Sequence, residues 1–236
     1  MSLQIEHEAI CMRGTILALL LTCLAGCVTT PPELPTTLAS GAGSGPENFA
    51  TVAALVEPVA EAECRRRLRI ANCDFIILIE NDPRAGVNAF QTLDRGRPII
   101  VLTAGLLREV RNADELAFVI GHESAHHIRQ HIPQQVDSAR RVAQAFGELA
   151  EMGGADEAGI REAVQLGAAV GARRFSQEHE LQADQLGTVI AFRAGFDPVL
   201  GAEFFNRLPD PGNQFLGTHP PNAARQELVR ATAAGL

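Results

Sequence analysis

The sequence predicts an α+β fold, mostly helical, with a small sheet next to one histidine-rich helix. Three observations carry this expectation. Short β-branched or alternating runs crowd between Asp74 and Thr103, reading "DFIILIE", "NAFQTL" and "RPIIVLT", a pattern that belongs to strands. Most of the remaining chain from residue 47 onward places apolar residues at helical spacing. On one such helix, "GHESAHHIRQH" gathers four of the chain's seven histidines beside a glutamate.

A chain of 236 residues can bury one sizeable core, so a single domain is expected once any targeting segment is set aside. With 28 acidic against 20 basic side chains, the formal charge of -8 repels nucleic acid, and no nucleic-acid partner is expected. From Met12 the chain runs "MRGTILALLLTCLAGC", a basic residue, a short apolar run, then small residues before Cys27. Residues 1–27 are therefore expected to be a signal peptide, with Met12 as the true start because the preceding stretch carries no basic residue. "LAGC" resembles a bacterial lipobox, which makes Cys27 the expected site of lipid attachment. The Pro-, Thr-, Gly- and Ser-rich residues 28–46 read as a flexible tether. No later segment is apolar over the roughly 20 residues that span a bilayer. Residues 47–236 are then the folded domain, held by lipid on the periplasmic side of the bacterial envelope, at the outer membrane. Cys64 and Cys73 remain within it, either paired as a disulfide, as export permits, or kept as two buried thiols.

Along the domain, residues 47–70 predict a helix ending in "RRRLR", where positive charge suits the helix dipole. Strands are predicted over 74–80, over "NAFQTL" after the turn-like "NDPRAG", and over 97–103 after "DRGR". The histidine-rich helix has a clear start, with Asn112 as N-cap, Asp114 in the first turn and Glu115 at capping-box spacing. Leu116, Val119 and Ile120 define its apolar stripe, and at about 100° per residue Glu123 falls roughly 20° from Leu116, inside that stripe. A carboxylate is costly there unless something nearby needs it. Pro133 is predicted to end this helix. Helices over 134–151 and 156–172 should flank "GGAD", and a separate helix should run from Ser176 to Ala194. Several prolines interrupt the tail before a last helix from Asn222.

In "HESAH", His122 and His126 lie four residues apart on one helix face and can hold one Zn²⁺, with Glu123 between them in reach of a water. Glu180 and Asp184 repeat that spacing downstream, so one carboxylate can ligate while the other orients a histidine through its ring N–H. Glu178 and His179 compete with Glu180 for the third place. His179 points about 100° away and lacks the Asp184 partner, which favours Glu180. His127 and His131 read as buried, hydrogen-bonded histidines rather than ligands.

"DELAFVIGHESAHHIRQH", "SQEHELQADQLG" and "THPPNAAR" resemble, in order and spacing, the three motifs of the gluzincin peptidases of the HtpX, Oma and CAAX prenyl protease group. The resemblance is strongest to its exported bacterial, BepA/LoiP-like branch, and covers about Cys64 to Arg225. It implies a zincin-like fold and one Zn²⁺ at His122, His126 and Glu180, with Glu123 as catalytic base and Asp184 behind the ligands. In that chemistry an oxyanion needs a second electrophile. The chain has no Tyr, so His219 and Arg225 are the expected catalytic donors, and the resemblance points to the same pair. His219 otherwise reads as a turn residue before two prolines. Gln182 stands where relatives often carry Glu. The sequence has neither the membrane spans of the HtpX branch nor the C-terminal repeat region of BepA, and reads as a minimal peptidase domain on a lipid anchor. Substrate is expected to lie along an edge strand formed by Ile99, Ile100, Val101, Leu102 and Thr103. The expected partners are polypeptides, chiefly unfolded or misassembled envelope proteins, with the protein acting as a zinc-dependent metalloendopeptidase in quality control. The competing expectation is a lipoprotein chaperone or assembly factor whose zinc site is structural or latent.

Overall fold

The computed structural model describes residues 46–209 and 220–236. The signal peptide, Cys27, the tether and His219 lie outside the described residues. The chain order is α1 (Pro46–Arg67), β1 (Ile76–Glu80), β2 (Ala89–Asp94), β3 (Arg97–Thr103), α2 (Ala104–Glu109), α3 (Ala113–Ile128) and α4 (His131–Met152). It continues through α5 (Glu157–Arg193), α6 (Pro198–Gly201), a 3₁₀ segment (Ala202–Arg207) and α7 (Asn222–Ala233). This is the expected mostly helical α+β architecture. Among the described residues no helix is long and apolar enough to cross a membrane.

All the expected strands form, but the one expected at an edge does not lie there. The sheet order is β1-β3-β2, with β3 parallel to β1 and antiparallel to β2. Ile99 to Thr103, expected at an edge, therefore form the middle strand and are hydrogen-bonded on both sides. The physical reason is visible in composition: "PIIVLT" is a near-continuous apolar run and suits burial on both faces. The more polar β2, with Gln91, Thr92 and Asp94, tolerates an edge. Arg95 and Gly96 both have positive φ, 48° and 82°, and form the two-residue turn that closes the β2–β3 hairpin.

At the other end of β3, Thr103 is almost fully buried and fixes the strand that approaches the site. Its hydroxyl accepts from Leu106 N at 3.1 Å, capping α2, and lies 2.8 Å from Gly86 O. Gly105 passes so close that a Cβ there would stand 2.0 Å from Gly86 O. The segment entering β2 is thereby pinned beside α3.

The core joins Val52 and Val56 of α1, Ile100 and Leu102 of β3, Leu116 and Ile120 of α3, and Leu186 and Ile190 of α5. Cys64 and Cys73 form a disulfide across the turn after α1. Arg66 and Arg67 at the end of α1, together with Arg193 of α5, surround the buried carboxylate of Glu63. The basic end of α1 is thus tied to α5 as well as solvated.

Two helix boundaries differ from expectation. Pro133 lies in the first turn of α4, where its missing N–H costs nothing. The break falls earlier, at Gln130, whose φ is 60°. Glu157–Arg193 is one helix of 37 residues rather than two. Gly171 lies inside it as a contact with α4, because a Cβ there would meet Ser138 O at 2.7 Å.

Candidate metal centre

Helices α3 and α5 cross where neither has a side chain between the backbones. A Cβ on Gly121 would stand 3.0 Å from Gly187 O, and one on Gly187 would stand 2.9 Å from His122 N. This close crossing brings the "HESAH" turn of α3 against the "EHELQAD" turn of α5. The start of α3 is anchored as expected, with Asn112 Oδ1 accepting from Glu115 N at 2.8 Å. Glu115 also accepts from Arg111 N at 2.7 Å and pairs with Arg207.

His122 Nε2 lies 3.1 Å from His126 Nε2 and 3.4 Å from Glu180 Oε2. His126 Nε2 lies 3.4 Å from Glu180 Oε1. Zinc bonds of about 2.0–2.2 Å in tetrahedral geometry hold ligand atoms about 3.3 Å apart, so the spacing fits such an ion. Among the described residues, this trio is the group of His, Cys, Asp or Glu side chains that could hold a metal. Its electrostatics point the same way. His122 Nδ1 is 2.9 Å from Asp184 Oδ1, an acceptor, so Nδ1 carries the hydrogen and the Nε2 lone pair faces the trio. Burial lowers the His122 pKa, but Asp184 and Glu180 outweigh it and raise it to about 10. The two carboxylates beside the buried ring favour positive charge there.

Asp184 is fully buried. Arg225 Nε donates to its Oδ2 and Arg225 Nη2 to its Oδ1, both at 2.7 Å. Burial raises the Asp184 pKa, yet Arg225 and His122 bring it below the ordinary carboxylate value. The Arg225 guanidinium also lies 3.9 Å over the Phe205 ring and 3.4 Å from Glu180 Oε2. Arg225 reaches the site as expected, but two of its nitrogens are occupied by Asp184. Through those bonds it orients Asp184, and it also lines the cleft over the trio. His127 and His131 are buried and hydrogen-bonded, as expected. His127 Nε2 donates to Asn72 O at 2.8 Å, and His131 lies 3.0 Å from His126 Nδ1. His179 stacks on His131 at 4.2 Å.

A cleft of about 380 Å³ opens over the trio. Glu123 lines it, half-buried, together with Val119 one turn earlier. That explains the carboxylate in the apolar stripe, because this part of the stripe faces a cleft rather than the core. One wall is the segment Val87–Gln91, which includes the start of edge strand β2. The apolar floor includes Phe118, Phe204, Phe205 and Leu208. Sequence reasoning missed β2 as the strand at the cleft and missed Phe205 under Arg225. The polarity of "NAFQTL" was the available signal for the first. Nothing in the sequence marked the second.

Comparison with known proteins agrees with this geometry. The model of peptidase family M48 matches residues 46–233. The β-barrel assembly-enhancing protease of Escherichia coli K12 is 30% identical over 171 residues, covering 66% of this chain and 34% of that protein. Its counterpart in Yersinia pestis is 29% identical over 169 residues, covering 66% and 34%. The mitochondrial metalloendopeptidase OMA1 of Arabidopsis thaliana is 30% identical over 157 residues, covering 65% and 30%. The chain spans about a third of the length of these relatives. With the family model matching most of the chain and the ligand geometry in place, the protein belongs to the metallopeptidase family M48.

Proposed function

We propose that this protein is a zinc-dependent metalloendopeptidase, held in the bacterial envelope by lipid on Cys27, that hydrolyses unfolded or misassembled envelope proteins. The observation that carries the chemistry is the convergence of two imidazole nitrogens and one carboxylate within 3.4 Å, with Glu123 in the adjoining cleft. A zinc ion held by His122, His126 and Glu180 would supply Lewis acidity and an acidified water at an open coordination position.

The chain's own residues supply the rest. Asp184 fixes the tautomer and orientation of His122, and Arg225 fixes Asp184. Glu123 takes a proton from the attacking water and returns it to the leaving amine. His219 serves as the donor that stabilises the oxyanion. Substrate lies extended along the outer edge of β2, paired through its backbone, with an apolar side chain over the Phe118 and Phe205 floor. Backbone pairing tolerates many sequences but requires an extended chain, which supports unfolded polypeptides as substrates. The names of the bacterial relatives, which tie them to β-barrel assembly, support an envelope setting, and the sequence before residue 47 supports the outer membrane.

The test uses protein starting after Cys27 with zinc. An unfolded casein should be cleaved, a tightly folded protein of similar size should survive, and a chelator should abolish cleavage until zinc is restored. Equal cleavage of both substrates, or cleavage indifferent to chelator, contradicts the proposal. Zinc bound without any cleavage favours the chaperone reading with a structural or latent site.

A further inference from the structure

The two histidine ligands are backed by different chemistry. His122 leans on a carboxylate, whereas the partner of His126 is another imidazole, that of His131. We infer that His131 and Gln182 form a positioning relay that holds His126 in the tautomer and orientation needed to bind the metal. This rests on the metal centre described above.

The relay follows from donor and acceptor identities along the chain of contacts. Gln182 Nε2 donates to Glu178 Oε1 at 3.1 Å, which turns the amide oxygen towards His131. Gln182 Oε1 lies 3.2 Å from His131 Nε2, so that nitrogen carries the hydrogen. A neutral His131 then presents the lone pair of Nδ1, which stands 3.0 Å from His126 Nδ1. His126 Nδ1 must donate, leaving its Nε2 bare and aimed at the trio, 3.1 Å from His122 Nε2. One hydrogen on each ring satisfies the contacts from Gln182 through His131 to His126 Nδ1 and leaves the Nε2 lone pairs of His126 and His122 facing the position of the metal.

The fold holds the relay rigidly. His131 is the first residue of α4, set by the left-handed turn at Gln130, and is 3% exposed. Its ring lies parallel to His179, with centroids 4.2 Å apart and planes 8° apart. Gln182 replaces the Glu that the motif often carries, so the relay ends on a neutral amide whose oxygen can only accept. With a neutral partner behind one ligand and the Asp184 carboxylate behind the other, the two imidazoles are oriented without adding a second negative charge.

Two substitutions at one position separate hydrogen bonding from packing. His131→Phe keeps the ring and its stack on His179 but removes the acceptor. His131→Asn loses the stack but keeps an oxygen near the place of Nδ1. Zinc affinity, measured by competition with a chromogenic chelator, should fall 10- to 100-fold in His131→Phe and return to within a few-fold of wild type in His131→Asn. In zinc-loaded wild type, ¹⁵N spectra of the histidine rings should show His131 protonated on Nε2, a readout that needs no variant. Wild-type affinity in His131→Phe, an equal loss in both variants, or protonation of His131 on Nδ1 overturns the relay. Failure of wild type to bind zinc overturns the metal centre itself.

Discussion

Helix α5 is a single rod with two different neighbours, and its halves are built on opposite principles. From residue 179 onward it crosses α3 and buries His179, Glu180, Asp184 and Thr188. Over residues 157–172 it runs along α4, and there only Gly167 and Gly171 are buried. Both contacts use glycine to bring backbones together. At the crossing the gained proximity is spent on polar groups that must be paired, and in the hairpin it yields close packing and little else. A buried polar cluster is intolerant because each lost partner strands another group, whereas an exposed hairpin can relax.

The largest break in that contrast should come from Asp184→Ala. It strands the buried Arg225 cation and frees His122, so unfolding stability should drop by about 3–5 kcal/mol and zinc affinity by 10- to 100-fold, read by thermal unfolding and chelator competition. A loss under 1 kcal/mol would mean that the crossing relaxes as readily as the hairpin.

Gly187→Ala comes next. Its new methyl group meets the His122 backbone at 2.9 Å, which cannot move alone. A loss of about 1–3 kcal/mol is expected, with weaker zinc binding as the two ligand-bearing turns separate.

His127 offers a smaller test in pH. Burial lowers its pKa below 6.5, with the Asn72 carbonyl pulling partly the other way. The unfolded chain then takes up a proton that the folded chain refuses, so this contribution is full above 6.5 and is lost as pH falls through the folded value. His127→Gln keeps a donor for Asn72, so the melting temperature should drop less than that of wild type between pH 7.5 and 5.5. An identical drop would remove His127 from the acid sensitivity.

Gly147→Ala should matter least. Its methyl group meets only the Val164 side chain, at 2.8 Å, which is itself partly exposed. The gain in helix propensity of about 0.5–1 kcal/mol should offset the shift, leaving stability within about 1 kcal/mol of wild type in urea unfolding.

The same contrast explains what was legible in the sequence. Chemistry leaves local spacing, so His122, Glu123, His126, Glu180 and Asp184 could be placed from two short motifs, and the start of α3 from Asn112 and Glu115. The existence of the strands was equally local. Their order was not, because being central or at an edge depends on partners distant in sequence, and β3 was misplaced although its unbroken apolar run fitted the middle. Pro133 misled for a related reason. Proline can break a helix or fit within its first turn, and only its position within the turn decides which.

The central claim is that Glu123 performs proton transfer beside a metal held by three other side chains. The most direct measurement compares wild type with Glu123→Gln, determining bound zinc and the rate of casein cleavage in the same samples. The account predicts one zinc per chain in both and a rate about 10²- to 10⁴-fold lower in the variant. Equal rates, or loss of zinc from the variant, would contradict it.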